Sequence, residues 1–417
     1  MDWSFLIKGR RSLCVSTDTR NLPQGCVFVA LKGERFNGNL FALQALELGA
    51  AFVVVDEDIP QTCSMRQEYQ GRIIRVENSL LALQELARQW RRELGIKVIG
   101  ITGTNGKTTT KELLAAVLKT KYDLLYTQGN LNNQIGVPLT VLSITRDHQL
   151  ALIEMGASHP GDITELVNIC EPDCGLITNV GKAHLLGFGS FEGVQRTKRE
   201  LYDFILEHGG TIFRNADNPY LASMQHDAEA DLAARGSSLP ACRTVLYHTG
   251  TMLSGTRLVG DYNSENIQAA ICVGDYFGIS RDAAEQAIRN YVPANNRSQL
   301  LQTEHNTVVV DAYNANVTSM TAALEAFKGD TIILGDMLEL GSYSEQEHKA
   351  IVDIIRQKAF TCVLLVGSEF GKTAGDYKVF PSVEELIIYL KNNPLSGRNI
   401  LLKGSHGIHL EKVIEFL

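Results

Sequence analysis

Residues 97–120 read KVIGITGTNGKTTTKELLAAVLKT and pass from an apolar β-rich run, through a glycine-rich turn, into a helical pattern. Strand, glycine-rich loop and helix in this order are typical of a P-loop, whose backbone amides and helix N-terminus bind phosphate groups. Gly103 and Gly106 can adopt positive φ and let the backbone approach phosphate oxygens. Lys107 is predicted to reach the β- and γ-phosphates of ATP, and Thr108 to bind Mg²⁺. The stretch therefore predicts an ATP-dependent enzyme.

The glycine spacing departs from the strict P-loop signature. Ile101 stands where the first glycine belongs, and Gly100 lies one residue out of register. A glycine-rich turn without a ligand is the alternative, but the strand, the helix, Lys107 and Thr108 together favour phosphate binding. The shifted spacing points away from the common P-loop kinases and GTPases.

Apolar runs continue downstream as ALIEMG, GLITNV and TIFRN, with helical stretches between them, which is typical of a parallel sheet. Glu154 ends the first of these runs, where a P-loop enzyme needs a second carboxylate for its metal ion. A glutamate buried in a strand is costly unless it is paired or bound to metal. We therefore predict that Glu154 is a metal ligand.

Two polar residues, Asn179 and His184, follow the run GLITN. They lie at the carboxyl end of a strand, where ligands bind in doubly wound sheets. A single histidine is more often structural than catalytic, so both roles stay open for His184 at this point. Lys198 falls in a helical pattern, and its spacing alone predicts a solvated surface lysine.

Apolar runs also alternate with helical stretches before and after this central region, which predicts two further α/β units. The first contains GCVFVAL, the helical NLFALQALELGA, AFVVVD, GRIIRV and a helical pattern over residues 79–94, and the last contains TVVVDAY, DTIILGD, CVLLVG and NILLKG. We predict an α/β protein of three domains: a small N-terminal domain (1–94), a central P-loop ATPase-like parallel-sheet domain (95–294) and a C-terminal Rossmann-like domain (295–417). DAYNAN and GDMLELG follow strands in the last domain and are predicted binding loops, with ordinary turn chemistry as the alternative.

Composition limits the partners of the chain. Its 417 residues are 44% hydrophobic and carry a formal net charge of -8, which is globular and argues against general nucleic-acid binding. Arg88, Arg91 and Arg92 recur at helical spacing and are predicted to form a solvated helix face. The eight scattered cysteines, the lack of a long apolar segment and the absence of a signal-peptide pattern predict a soluble, cytoplasmic protein without membrane insertion. We expect a monomer.

In this order, the segments resemble the Mur ligase family of peptidoglycan synthesis over nearly the whole chain. The phosphate cradle alone, the glycine-rich loop at residues 103–107, is also similar to that of folylpolyglutamate synthetases. GNLNNQIGVPLT (129–140), YNANVTSM (313–320) and GDMLELG (335–341) are similar to the branch that adds D-alanyl-D-alanine. The DNPR motif that is usual in the ligase adding the third amino acid is missing from the sequence.

The resemblance implies ATP-dependent amide formation between UDP-N-acetylmuramoyl-tripeptide and D-alanyl-D-alanine through an acyl phosphate. It also implies two Mg²⁺ ions, one bound by Thr108 and Glu154 and the other by His184 and a carbamylated Lys198, so that Lys107, His184 and Lys198 would be catalytic. The residues implied to bind ATP are Gly103, Thr104, Asn105, Gly106, Lys107, Thr108, Thr109, Asn263, Asn266, Arg297 and Asp311. Those implied to bind the other substrates are Asp18, Thr19 and Arg20 for the UDP-sugar, and Asn314 with residues 338–341 for the dipeptide.

Three positions depart from the family pattern. Leu186 stands where AHLE is usual, Asn39 where a histidine is common, and His406 where KGSR is usual. The first two leave the chemistry intact but can alter substrate contacts, whereas His406 puts in doubt a contact to an anion, since histidine is only partly charged near neutral pH. The alternatives are another amino-acid-adding ligase of the family, or a non-catalytic ATP-binding regulatory protein.

Overall fold

In a computed structural model, which describes residues 1–59, 69–236, 240–293, 297–358 and 360–417, the apolar runs form three mainly parallel sheets. The first sheet has the strand order β1-β2-β5-β6, and all of its neighbours are parallel. Its strands are β1 Val15–Ser16, β2 Val27–Val29, β5 Phe52–Val55 and β6 Ile73–Arg75, with a separate hairpin of β3 Lys32–Gly33 and β4 Phe36–Asn37. The helical segments of this region are Ser4–Ile7, Gly38–Phe41 (a 3-10 helix) and Ala42–Glu47.

The helix Ser79–Leu94 joins this unit to the next one. Asn78 caps its start, where the side chain accepts a hydrogen bond from the Leu81 amide, and Gly95 caps its end with φ 64°. Trp90 of this helix is fully buried in a core that includes Val27 of the first sheet and Ile153 of the second. The N-terminal and central units therefore share one core.

The predicted solvated arginine face is wrong for Arg91. This side chain is only 7% exposed, and it donates to the Cys170 carbonyl at 2.9 Å and to Asp173 Oδ2 at 2.8 Å. The carbonyls at the end of a helix lack partners within that helix, so a buried guanidinium can satisfy them. Arg91 thus fastens the helix Ser79–Leu94 to the central unit.

The central sheet consists of six parallel strands in the order β12-β11-β10-β7-β9-β8. They are β7 Lys97–Thr102, β8 Leu124–Tyr126, β9 Leu150–Glu154, β10 Cys174–Ile177, β11 Thr211–Asn215 and β12 Arg243–Tyr247. The helices are Lys107–Leu118, Gly136–Leu142, Asp162–Cys170, Leu185–Phe188, Phe191–His208, Pro219–Ala234, Asn263–Tyr276 and Arg281–Asn290. The carboxyl ends of β7, β9 and β10 are adjacent, which creates a ligand-binding edge at the centre of the sheet.

The third sheet has the order β13-β14-β18-β15-β16-β17, and only β13 is antiparallel to its neighbour. Its strands are β13 Gln299–Gln302, β14 Thr307–Asp311, β15 Thr331–Gly335, β16 Cys362–Val366, β17 Lys378–Phe380 and β18 Asn399–Lys403. The helices are Val317–Ala326, Ser344–Lys358, Ser368–Thr373 and Val383–Asn392, and the 3-10 helices are Gly341–Tyr343, His406–Ile408 and Leu410–Phe416. Four of the six strands follow from the apolar runs, and the two additional ones, β13 and β17, lie at the edges.

The predicted three-unit α/β fold is confirmed. The domain limits stay predictions, and the limit at 294/295 lies outside the described residues. Within the part of the chain that the structure describes, no helix combines the length and apolar character needed to cross a membrane.

Candidate active site

The loop between β7 and the helix Lys107–Leu118 is shaped by close backbone packing. Gly103 has φ 145°, and a Cβ there would lie 2.0 Å from Thr178 Oγ1. Gly106 has φ 77°, and a Cβ there would lie 2.5 Å from Asn266 Oδ1. Since both positions exclude a side chain, the two glycines are structural requirements of the loop.

A second loop, which follows β10, holds this cradle in place. The Asn179 carbonyl accepts from the Thr104 amide at 2.9 Å, and Asn179 Oδ1 accepts from the Asn105 amide at 3.0 Å. Thr178 Oγ1 donates to the Asn105 carbonyl at 2.6 Å. Asn179, which the sequence placed at the end of a strand, therefore braces the cradle from the neighbouring strand.

Lys107 is the first residue of the helix and folds back over the loop. Its Nζ donates to the carbonyls of Gly103 at 2.6 Å and of Thr104 at 3.1 Å. Burial lowers the pKa of Lys107 to about 8, with Glu154 opposing and Arg297 adding to that shift. A desolvated ammonium above a ring of backbone groups interacts strongly with a phosphate, because the local dielectric is low.

Thr108 and Glu154 form the predicted pair. Thr108 Oγ1 lies 3.2 and 3.1 Å from the two carboxylate oxygens of Glu154, and Asn132 Nδ2 donates to Glu154 Oε1 at 2.9 Å. Behind this carboxylate, the fully buried Lys111 places its Nζ 3.7 Å from Glu154 Oε2 and 3.1 Å from Glu112 Oε1. Lys111 was not predicted as a site residue, although its position one helical turn after Lys107 is a signal that it faces the same strand.

Hydroxyl and carboxylate oxygens are the donors that Mg²⁺ prefers, so Thr108 and Glu154 fit a magnesium ion. The described residues contain no group of three or more His, Cys, Asp or Glu side chains suited to hold a metal. A magnesium ion here would consequently complete its coordination with phosphate oxygens and water, which is its usual mode at nucleotide sites.

Lys198 is not the surface lysine that its spacing predicts. It is only 2% exposed on the helix Phe191–His208, and its Nζ lies 5.6 Å from the centre of the Phe188 ring. Burial, with a further contribution from Lys107, holds the pKa of Lys198 well below its ordinary value. Val194, Leu201 and Ile205 are buried on the same helix at spacings of three to four residues, and this pattern was the overlooked sequence signal.

His184 lies at the start of the short helix Leu185–Phe188 with φ 50°. Its ring centre is 6.3 Å from that of Phe188, so the structure brings His184 and Lys198 to the same aromatic side chain. Its Nδ1 lies within hydrogen-bonding distance of Glu339 Oε2 of the loop GDMLELG. The hydrogen bond to His184 lowers the pKa of the Glu339 carboxyl, against the opposing effect of burial.

Two cavities meet at the cradle. One of about 510 Å³ is lined by Lys107, Thr108, Glu154, His184 and His406, among others. The other, of about 490 Å³, is lined by Asn105, Thr109, Asn263, Asn266, Asp311 and Lys403, among others. Gly106, Arg297 and Asn314 line both cavities. A ligand that passes Gly106 can therefore occupy both.

The C-terminal unit contributes one wall of these cavities. Arg297 stacks its guanidinium 3.9 Å from the centre of the Tyr313 ring. Asp311 accepts from Lys403 Nζ at 2.5 Å, and Lys403 also donates to the Asn314 carbonyl at 3.2 Å. Tyr313 and Lys403 were not predicted as site residues, since their importance depends on neighbours distant in sequence.

A larger cavity of about 1050 Å³ lies at the carboxyl edge of the first sheet, between Asp56 and Asn78 on one side and Arg88 and Glu165 on the other. Glu165 also lines the cavity that contains Lys107. The structure does not bring the predicted UDP-sugar residues Asp18, Thr19 and Arg20 into any of these three cavities.

Instead, Asp18 and Arg20 pair with each other at 2.6 Å on the surface. The hydrogen bonds from Arg20 lower the pKa of Asp18 to about 2. Their proposed contact with the UDP-sugar therefore remains a prediction.

The three departures from the family pattern have different surroundings. Asn39 is buried, and its Nδ2 donates to Asp56 Oδ1 at 2.8 Å while its Oδ1 accepts from the Asp56 amide at 3.1 Å. Leu186 is 73% exposed, and the ring of His406 lies 5.3 Å from that of Tyr313. Of the three, only His406 lines the cavity with Lys107.

Comparison with protein-family models matches the chain three times. Residues 13–91 match the Mur ligase family, catalytic domain; residues 101–274 match the Mur ligase middle domain; and residues 296–406 match the Mur ligase, glutamate ligase domain. The chain belongs to the Mur ligase family. The resemblance found in the motifs is thereby confirmed.

Among Mur ligases, the UDP-N-acetylmuramoyl-tripeptide--D-alanyl-D-alanine ligase of Bacillus subtilis (strain 168) is 35% identical, over 97% of this chain and 92% of that protein. A crystal structure of MurF from Acinetobacter baumannii is similar with a TM-score of 0.83 and 29% identity, covering 96% of this chain and 92% of that one. The MurF ligase of Thermotoga maritima, solved in complex with ADP, is similar with a TM-score of 0.84 and 25% identity, covering 98% of both chains.

Proposed function

We propose that this chain is an ATP-dependent ligase that joins D-alanyl-D-alanine to UDP-N-acetylmuramoyl-tripeptide in peptidoglycan precursor synthesis. The observation that carries the proposal is the phosphate cradle at Gly103–Lys107, which opens into two cavities walled by the central and C-terminal units. The identity of 35% to a ligase of this specificity over 97% of the chain supports the same conclusion.

ATP fits the two cavities if its base lies near Asn263 and Asn266 and its phosphates lie over the cradle. Asn266 accepts from Thr110 Oγ1 at 2.9 Å and donates to Asn263 Oδ1 at 2.9 Å, so both amides are held in fixed orientations. Arg297, which lines both cavities, would reach the phosphates from the C-terminal unit. The ADP complex of the Thermotoga maritima relative supports a nucleotide site.

We assign one Mg²⁺ to Thr108 and Glu154 and a second to His184 and Lys198. When bound, these ions would neutralise charge that develops on the transferred phosphoryl group. The unmodified Lys198 ammonium would repel a cation, so the assignment requires that it carry a carbamate. The neutral amine attacks the carbon of CO₂ and loses one proton, which leaves an oxygen anion in place of a cation.

The surroundings of Lys198 suit this modification. Only the neutral amine is a nucleophile, and burial favours that form. Within the described residues, Lys198 Nζ makes no hydrogen bond or ion pair, and its neighbour is the Phe188 ring. The amine is therefore available for reaction.

The reaction proceeds in two steps. The terminal carboxylate of the tripeptide attacks the γ-phosphorus of ATP, which forms an acyl phosphate and releases ADP. The dipeptide amine then attacks the acyl carbon, a tetrahedral intermediate forms, and phosphate leaves as the new amide loses a proton. In the first step, Lys107 and the backbone amides of the cradle orient and stabilise the phosphoryl group, without a protein nucleophile.

The remaining assignments follow from this reaction. We place the UDP-sugar in the N-terminal domain (1–94), ATP in the central domain (95–294) and the dipeptide against the C-terminal domain (295–417) near Asn314. Following the family resemblance, we also propose that the protein is a cytoplasmic monomer.

A coupled assay of phosphate release tests the function. We expect release only when ATP, the UDP-tripeptide and D-alanyl-D-alanine are all present, and substrates ending in lysine and in diaminopimelate define the third residue. Release with a single amino acid in place of the dipeptide would instead identify another amino-acid-adding ligase. Nucleotide binding without release would indicate a regulatory protein.

A further inference from the structure

One contact between the central and C-terminal units involves a residue of the proposed metal site. His184 Nδ1 of the central unit pairs with Glu339 of the segment between β15 and the 3-10 helix Gly341–Tyr343. Glu339 lines the same cavity as His184, Thr108 and Glu154. The family resemblance placed residues 338–341 near the dipeptide and gave Glu339 no role at a metal ion.

The backbone on both sides of this contact is strained. His184 has φ 50° and Glu339 has φ 64°, and these are two of only five non-glycine residues with positive φ in the described part of the chain. Such a conformation costs about 1–3 kcal/mol per residue and persists only where the surroundings enforce it. Next to them, Gly341 lies so near Leu186 that a Cβ would be 3.1 Å from Leu186 Cδ1. Two strained loops thus dock on each other at one point.

The contact is poorly explained by stability alone. The Glu339 side chain is 63% exposed, and an exposed ion pair contributes only about 0–1 kcal/mol. That gain does not offset two residues in the left-handed region. The strain at these two residues therefore points to a functional role.

Metal-binding histidines supply such a reason. A histidine that binds a metal through one ring nitrogen usually donates the other N–H to a carboxylate, which sets the ring orientation and makes the ligating nitrogen more basic. Glu339 engages Nδ1, so Nε2 is the nitrogen left for a ligand.

Resting on the proposed function, we propose that Glu339 is a positioning residue that orients His184 for the second metal ion. Because Glu339 belongs to the C-terminal unit, the second metal site is complete only when that unit is docked on the central one. The first site, at Thr108 and Glu154, needs no residue of the C-terminal unit.

The test uses the full chain with Mn²⁺ as the probe, titrated by electron paramagnetic resonance in the presence of a non-hydrolysable ATP analogue. The variants are Glu339→Ala, Glu339→Gln, which keeps an acceptor oxygen, and the control Lys182→Met. Lys182 pairs with Glu347 at 3.4 Å across the same two units, so the control removes a docking contact without touching His184.

We expect Glu339→Ala to weaken the second Mn²⁺ by about 10–100-fold, the usual effect of losing such a partner, while the first Mn²⁺ keeps its affinity. Glu339→Gln should lie between Glu339→Ala and the unaltered chain, and Lys182→Met should match the unaltered chain. The Mg²⁺ concentration for half-maximal ligation should rise in the same order, with little change in the KM for ATP.

Unchanged affinity for the second Mn²⁺ in Glu339→Ala would overturn the inference, as would an equal loss in Lys182→Met, which would reduce the contact to general docking. Detection of a single Mn²⁺ in the unaltered chain would also overturn it. Circular dichroism melting checks that each variant is folded. These outcomes differ from failure of the proposed function, in which the unaltered chain does not ligate.

Discussion

The two proposed metal sites are built in opposite ways. Thr108 and Glu154 lie in one unit: Thr108 is in the first turn of the helix Lys107–Leu118, Glu154 ends β9, and both are buried. His184 and Glu339 lie in two units, on strained loops, and both are partly exposed. The first site is formed by a single sheet, whereas the second depends on how two units dock.

This difference indicates a division of labour. A buried site with fixed hydrogen bonds binds nucleotide and metal at little reorganisation cost, as electrostatic preorganisation requires. A site at a seam between units can respond to substrate, because closure can complete it. We therefore expect variants of the first site to lower activity whether or not the units are docked. Variants of the contact between His184 and Glu339 should lower activity mainly in the docked arrangement.

The largest effect is expected for Lys107→Ala. Removal of the cradle ammonium should lower ligation by at least about 1,000-fold, because phosphoryl transfer relies on charge positioned at the phosphates. The fold should be retained, since within the described residues Lys107 Nζ donates hydrogen bonds to two loop carbonyls and to no other element. Phosphate release measures the rate of ligation, and circular dichroism measures whether the fold is retained. Ligation near the unaltered rate would contradict the assignment of the cradle to phosphate binding.

The next largest effect is expected for Lys198→Ala. It should lower ligation by about 100-fold or more, because loss of a ligand exceeds the cost of losing a ligand's hydrogen-bond partner, with partial rescue by small carboxylic acids that replace the carbamate. Nucleotide binding, measured by calorimetry, should be less affected, since Lys198 does not line the nucleotide cavity. Rescue by small amines instead of acids would show that a cation is needed at this position.

A smaller effect is expected at the contact between the central and C-terminal units beside the cradle. Asn316 Nδ2 donates to Asn105 Oδ1 at 2.7 Å, and Asn316 and Ser319 also form the capping box of the helix Val317–Ala326. Asn316→Ala should raise the KM for ATP about threefold to tenfold, since a hydrogen bond contributes about 0.5–1.5 kcal/mol. The matched variant Ser319→Ala disturbs the same capping box but keeps the hydrogen bond between Asn316 and Asn105, and because Ser319 also lines the cavity with Asn263, its KM sets the baseline.

Both of these variants should lower the free energy of unfolding by up to about 1 kcal/mol, as measured by urea denaturation. Asn316→Ala should raise the KM for ATP more than Ser319→Ala does. An equal change in Ser319→Ala would mean that the helix start, and not the contact between units, controls ATP binding.

The smallest effect is expected for Leu186→Glu, which introduces the residue that is usual in the family. Leu186 is exposed next to Gly341, where water and salt screen a new charge. The kcat should stay within about twofold. A larger loss of kcat that added salt reverses would show that any charge at the contact between the two units changes activity. The His184–Glu339 pair would then have no special role.

The sequence predicted the parts of the site that depend on local order. The cradle follows from strand, glycine-rich turn and helix, and Glu154 follows from the end of an apolar run. Edge strands were missed for a physical reason: β12 buries only Tyr247 completely, so its residues do not form a long apolar run. Lys198 was placed on the surface because a lone lysine in a helix usually is, although its buried neighbours repeat on the same face.

By itself, the sequence determined the family, the three α/β units and the phosphate cradle, because these depend on short-range patterns of apolar residues and glycines. Only the tertiary structure decided that Lys198 is buried, that Lys111 backs Glu154, and that Glu339 meets His184. These contacts join segments far apart in the chain, and no periodicity within one segment specifies which loop another unit will present.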